Sequence, residues 1–305
     1  MKLLTLVAPT LLVMFAAQAA TPIRVMLLDG ESAGTYHAWR QTTPVLKKEL
    51  EDAGIFQVEV VTAPPSGGDF SNFKPDFTKY DVIVSNLDSA TWPMELEMAF
   101  ERYMKNGGGF VAVHAADNAF PAWQAFNEMI GVGGWRGRRD SAGPHWFLKD
   151  GKLVSDTEPG AAGSHGARLP FQVTIRDAAH PVTKGLPSVW MHAGDELYAR
   201  LRGPGANMTV LATAFSDPAN QGSGHDEPML MALSYGKGRI FHTTMGHDIP
   251  ALSCAGFITT FQRGAEWAAT GKVTQKVPAD FPSADKVSIR ADIAAMAPAP
   301  AGGTR

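Results

Sequence analysis

Gly107-Gly108-Gly109-Phe110-Val111-Ala112-Val113-His114-Ala115-Ala116-Asp117 is the stretch that decides the fold. Three glycines stop whatever precedes them, and residues 110–114 then run apolar up to a histidine. An unbroken apolar run of this length, bounded by glycine, is the pattern of a strand buried on both faces of a parallel sheet. In open parallel sheets ligands sit beyond the carboxyl ends of the strands. His114 and Asp117 fall at that end, so the stretch that predicts the fold also predicts a site.

Outward from it the pattern repeats. Residues 23–28, 56–61 and 80–85 predict further strands, the first ending in Asp29-Gly30. Between them, Thr43 as N-cap and Pro44 at the first helical position predict a helix with Val45, Leu46 and Leu50 on its apolar face, stopped by Gly54. A second helix enters at Pro93, and a third is expected from Asp117 to about Ile130. Strands alternating with amphipathic helices predict an α/β fold with a mostly parallel sheet and helices on both faces. Strands are expected again over 171–176, 197–201, 208–214, 229–235 and 239–243, with a hairpin-like turn at Gly236-Lys237-Gly238, and a helix over 250–269.

Between these regions, residues 131–170 dissolve into glycine, arginine and short polar runs. That is long for a structureless loop in a compact domain, so it reads as either a functional loop or an inserted subdomain, with Arg136, Arg138 and Arg139 as a solvated or carboxylate-paired rim. The main domain is expected over 20–271, followed by an extended or disordered tail over 272–305, where proline, alanine and glycine dominate.

Composition narrows the function classes. At 305 residues, 45% hydrophobic and 19% charged, the chain can bury a substantial core. A net charge of −3 with no massed basic run gives no electrostatic footprint for nucleic acid. Lys2, an apolar core over 3–15 and Ala17-Gln18-Ala19 read as a signal peptide over 1–19, which predicts a periplasmic or secreted protein. That core is shorter than the roughly 20 residues of a spanning helix. No later stretch supplies one, so stable membrane insertion is not expected. Cys254 is the only cysteine, so no internal disulfide forms, and it reads as a small buried hydrophobe.

The chemistry is read from clusters at strand ends. His114 with Asp117, His192 with Asp195-Glu196, and His247 with Asp248 stand where strands should finish. Asp29 and His37 can join from the first βα turn, and His145 from the insertion. A lone histidine at a strand end is more often structural; the joint pattern is what points to acid–base or metal-assisted chemistry. His114, Asp117, His145, Glu196, His247 and Asp248 are the catalytic candidates. Asp29, His37, Trp39, Trp135, His192 and Asp195 are the candidates for substrate contact, with Trp146 a further stacking face. His/Asp/Glu sets also suit a divalent ion such as zinc or manganese, but no HExxH-type spacing assigns the ligands. A cysteine nucleophile at the strand-end turn, Gly-x-Ser-x-Gly and a Gly-x-Gly-x-x-Gly after the first strand are all missing from the sequence, which argues against the corresponding chemistries.

Leu28-Asp29-Gly30 followed by Tyr36-His37-Ala38-Trp39-Arg40-Gln41-Thr42-Thr43-Pro44 resembles the trehalose utilisation (ThuA-like) family, as does the opening stretch. The resemblance continues through His180-Pro181-Val182-Thr183-Lys184-Gly185-Leu186, Asp195-Glu196-Leu197-Tyr198, Tyr235-Gly236-Lys237-Gly238-Arg239-Ile240-Phe241 and Gly246-His247-Asp248, and ends at Gly264-Ala265-Glu266-Trp267-Ala268-Ala269. It implies a flavodoxin-like sheet of the class I glutamine amidotransferase-like superfamily. In amidotransferases of that superfamily the strand-end turn carries a nucleophilic cysteine; here it carries His114 and Ala115, which puts glutaminase activity out of reach. It further implies a small carbohydrate as partner, trehalose or a related disaccharide, and chemistry on oxidised sugars such as 3-keto-glycosides.

Two readings follow. The first is an exported carbohydrate-active enzyme of hydrolase or lyase type, with His114 as base or metal ligand oriented by Asp117, His247 with Asp248 as a second pair, and Glu196 as the remaining acid. The second is a non-catalytic sugar-binding or accessory protein on a fold that has lost its nucleophile. The oligomeric state is not legible in the sequence.

Overall fold

The apolar runs become the centre of a single sheet. The computed structural model describes residues 21–32, 34, 36–205 and 207–298; the signal-peptide reading of residues 1–19 lies outside the described residues. The chain begins with β1 (Ile23–Asp29), α1 (Trp39–Asp52), β2 (Phe56–Thr62), β3 (Val82–Ser85), α2 (Met94–Lys105), β4 (Gly109–Val113) and α3 (Gln124–Ile130). It continues with β5 (His145–Lys149), β6 (Lys152–Asp156), β7 (Leu169–Ile175), β8 (Val189–Asp195), β9 (Thr209–Phe215), β10 (Asp226–Tyr235) and β11 (Gly238–Thr243). α4 (Ile249–Leu252), α5 (Ala255–Thr270) and α6 (Ala291–Ala294) close it.

Period-two alternation explains why both faces of the central strands are apolar. Val25, Leu27, Val82, Val84, Val111, Val113 and Phe241 pack with α1 and α5. Met26, Leu28, Ile83, Phe110, Ala112 and Ile240 belong to the other core layer, with residues of α2 and α3. Gly109 is required by close approach: a Cβ there would lie 2.7 Å from the backbone of Ala268 in α5. Gly107, at φ +110°, makes the turn into the strand.

The sheet is mixed, which corrects the expectation of a mostly parallel one. Its order is β2-β1-β3-β4-β11-β10-β9-β7-β8, with β5 and β6 attached at β10. β2, β1, β3, β4 and β11 pair in parallel; β11-β10, β10-β9, β9-β7 and β7-β8 are all antiparallel. The reason is connection length. β10 and β11 are joined by Gly236-Lys237 alone, and a two-residue link can only reverse the chain.

Three local expectations also change. α1 starts at Trp39, so Pro44 lies inside it rather than at its first position. The helix expected from Asp117 is a 3-10 turn, His114–Asn118, followed by α3 after Phe120 at φ 51° and Pro121 interrupt the chain. Residues 197–201 are irregular, and the strand of that region is β8, just before them.

The segment from residue 272 is largely extended but is held against the domain as far as it is described. Met191 N–H donates to Ser283 O at 2.8 Å, and Ala255 N–H to Ser288 O at 2.9 Å. Ile293 is buried, and Phe281, Val287 and Met296 pack on the core. Among the described residues no helix is long and apolar enough to cross a membrane.

Candidate metal centre

Four elements deliver side chains to one point beyond the carboxyl ends of the parallel strands. His37 comes from the β1–α1 turn, His114 from the residue after β4, and His247 from the turn after β11. Glu196 follows β8, from the antiparallel half: β8 packs against α4 and α5, and its end bonds to Gly246 in the turn after β11. The antiparallel extension is therefore what brings the carboxylate over the parallel edge.

His37, His114, Glu196 and His247 each offer a ligand atom within 4.8 Å of the others. Two donors on opposite sides of an ion, each with a bond of about 2.1 Å, stand about 4.2 Å apart, so the spacing suits one ion. The free atoms agree. His114 Nδ1 lies 2.7 Å from Thr244 O, so it carries the proton and donates, which leaves Nε2 with its lone pair. That Nε2 is buried without a hydrogen-bond partner, as are His37 Nδ1 and His247 Nδ1. His37 Nε2 lies 3.2 Å from Tyr198 Oη, which accounts for its other nitrogen. Glu196 Oε2 stands 3.1 Å from His247 Nδ1 and 3.7 Å from His114 Nε2. Buried polar atoms normally have partners; here three imidazole nitrogens lack them and face one carboxylate.

Electrostatics follow from that crowding. Burial, then the neighbouring His114 and His247, lowers the His37 pKa to about 3, so it is neutral at physiological pH. Burial would also lower His114, but the Glu196 carboxylate, Asp195 and the Thr244 carbonyl outweigh it and raise its pKa. Burial would raise Glu196, yet His114 and His247 hold it far below the usual carboxylate range.

The backbone is strained at the same place. His114 sits at φ 47°, and the consecutive Trp135 and Arg136 at 49° and 45°, a region costing roughly 1–3 kcal/mol per non-glycine residue. The turn at His114 aims its ring back over the strand end. Trp135 lies against Tyr198 with ring centroids 4.5 Å apart, and Tyr198 lies against His114 at 4.1 Å. Above the cluster opens a cavity of about 660 Å³, whose lining includes Tyr36, His37, Asp88, Trp135, Arg136, His165, Glu196 and Tyr198. The 131–170 segment roofs it through Trp135, Arg136 and His165.

Of the sequence-predicted residues, His114, His247 and Glu196 converge; His37 joins them as a fourth donor rather than a substrate contact. Trp135 lines the cavity. Asp117 does not orient His114: its Oδ2 stands 3.4 Å from His242 Nε2. His145 is buried against Glu227 of β10, 3.1 Å from its carboxylate. Asp248 caps α4 by accepting from Ala251 N–H and pairs with Arg168 at 2.7 Å. Asp29 is buried and accepts from Thr62 Oγ1 at 2.7 Å. Trp39 opens α1 under the guanidinium of Arg40, and Trp146 donates to Gly203 O at 2.9 Å. His192 and Asp195 are buried, bond to each other at 2.9 Å, and do not line the cavity above the cluster.

Tyr198, His165, Asp88 and Tyr36 are the residues that sequence reading left out of the site. His165 is bracketed by glycines in Gly163-Ser164-His165-Gly166, a signal that was available. Arg136 is carboxylate-paired as expected, 2.5 Å from Asp88, but Arg138 is not on a rim. It is buried and donates to the carbonyls of Asn118, Ala119 and Gly134, tying the start of the insertion to the turn after β4.

Solved structures share this architecture. A ThuA-like protein from Parabacteroides merdae is 46% identical, with a TM-score of 0.86, covering 90% of this chain and 99% of its own. A ThuA-like protein from Bacteroides uniformis, 23% identical with a TM-score of 0.56, covers 85% of this chain and 96% of its own and shows the fold alone. No curated protein matches the chain. The profile of the family described as "Trehalose utilisation" matches residues 24–268, and the chain belongs to that family, ThuA.

Proposed function

We propose that this protein is a metal-dependent enzyme acting on a small carbohydrate, a disaccharide or its keto derivative. One observation carries the reading: three imidazoles, each with a buried nitrogen that has no partner, and one carboxylate converge below a cavity of about 660 Å³. Family membership supports a sugar-related role. The cavity supports it chemically: Trp135 and Tyr36 line it as aromatic surfaces, and buried Asp88 keeps one oxygen, Oδ2, without a protein partner to accept a hydroxyl.

A divalent ion bound there would polarise a substrate oxygen or activate a water. The chain's own residues do the rest. The Thr244 carbonyl holds the His114 tautomer, Tyr198 supports His37 and covers His114, and the Trp135-Arg136 turn walls the cavity. The reading includes export, supported by the leader-like sequence of residues 1–19.

The test is incubation of the protein, loaded with Zn²⁺ or Mn²⁺, with disaccharides and 3-keto-glycosides, with and without EDTA. Product formed with metal and abolished by EDTA is the expected result. Binding with no product under any metal condition would instead support a sugar-binding protein.

A further inference from the structure

We infer that Asp195, backed by His192, is a positioning residue of the metal centre, a group that locks two ligands from the ends of different strands into a single geometry. The inference rests on the metal reading above. Asp195 is buried, at 1% exposure, and does not line the cavity above the cluster. Its carboxylate accepts four hydrogen bonds. Oδ1 accepts from the backbone N–H of Glu196 at 2.8 Å and of His247 at 3.1 Å. Oδ2 accepts from the Gly246 N–H at 2.7 Å and from His192 Nε2 at 2.9 Å.

Two of those donors are the main-chain amides of ligand residues, and a third belongs to the residue before a ligand. Glu196 and His247 lie far apart in the sequence and on elements that do not pair with each other in the sheet. Asp195 is thus a direct link between them. Without it, the turn after β11 and the end of β8 have no shared anchor at this point, and the Glu196–His247 spacing loses its reference.

His192 completes the arrangement from behind. It is buried, stands on β8 three residues before Asp195, and is flanked by Trp190 and Phe171 with ring centroids 5.7 and 5.1 Å away. Held in that slot, its Nε2–H fixes the carboxylate's rotation, so that each oxygen faces its own pair of donors. An amide in place of the carboxylate serves poorly, because its NH₂ would face the Gly246 N–H on one side or the Glu196 and His247 N–H groups on the other.

Partners of this kind change metal affinity by about 10–100-fold when removed. The test compares wild type, Asp195→Asn, His192→Gln and His192→Phe for Zn²⁺ affinity by competition with a chelating dye, and for the visible spectrum after Co²⁺ substitution. Far-ultraviolet circular dichroism confirms folding. Asp195→Asn is expected to bind Zn²⁺ about 10–100-fold more weakly with an altered Co²⁺ spectrum. His192→Gln, which keeps an N–H toward Asp195, is expected to retain more affinity than His192→Phe, and this pair decides the matter if Asp195→Asn does not fold. Wild-type affinity and an unchanged spectrum in Asp195→Asn, or equal affinities in the two His192 variants, would overturn the role of Asp195 while leaving the metal centre standing. A wild-type protein that takes up neither ion overturns the metal reading and this role with it.

Discussion

His114 concentrates the chemistry because its backbone, tautomer and charge are each constrained by a different neighbour. The φ of 47° turns the ring over the strand end, the Thr244 carbonyl takes the Nδ1 proton's hydrogen bond, and Glu196 draws positive charge to the ring. A ligand nitrogen must be unprotonated to bind an ion, so binding competes with the proton that the raised pKa keeps on His114. The sign follows: affinity is full above the raised pKa of His114 and falls as pH drops through it, by about tenfold per pH unit for one displaced proton. His37, already neutral, adds no such dependence above its depressed pKa of about 3. Calorimetric titration with Zn²⁺ across pH 5 to 8, in buffers of different ionisation enthalpy, should show weakening toward acid and proton release on binding.

At this scale the sequence was partly legible. Strand-end position singled out His114, Glu196 and His247, which the structure brings together with His37. It failed for Asp117, because the 3-10 turn that begins at the left-handed His114 carries position 117 toward His242 instead. It failed for Asp248, whose carboxylate is occupied as a helix cap, and for His145, whose partner Glu227 lies on a strand no local pattern connects to it.

Among the elements, β4 and α5 show how the fold holds the site. The strand runs directly beneath the helix, with Gly109 against the Ala268 backbone and Val111 and Val113 in the same core layer as Phe257, Phe261, Ala265 and Ala268. Gly109→Ala would place a Cβ 2.7 Å from main-chain atoms that cannot rotate away. Overpacking of this sort costs about 1–3 kcal/mol, and chemical denaturation should read that loss with an unchanged m-value. The parallel half was legible because buried parallel strands write themselves as unbroken apolar runs. The antiparallel half was not, although Gly236-Lys237 carried the signal: a link that short reverses the chain, and from β10 onward the sheet had to be mixed.

For the whole molecule, the parallel and antiparallel halves of the sheet meet at the proposed ion site. The parallel half contributes three imidazoles, the antiparallel half the carboxylate and Tyr198, and the 131–170 segment the roof. The segment from 272 to 298 secures β8 and the start of α5 through Ser283, Ser288 and Arg290, which bonds to Ser253 O at 2.8 Å. No local pattern predicts that packing, since proline-rich sequence reads as loose unless its tertiary partners are known. Joining both halves makes the ion a cross-brace: bound at 100 times its dissociation constant, it would add about 2.7 kcal/mol to stability. The most direct measurement is therefore metal content and thermal midpoint together, on protein incubated with Zn²⁺ or Mn²⁺ and freed of excess. The account predicts close to one ion per chain and a higher midpoint that EDTA reverses, both lost in His114→Ala and His247→Ala. No stoichiometric ion in the wild-type protein, or an ion retained equally by both variants, would contradict it.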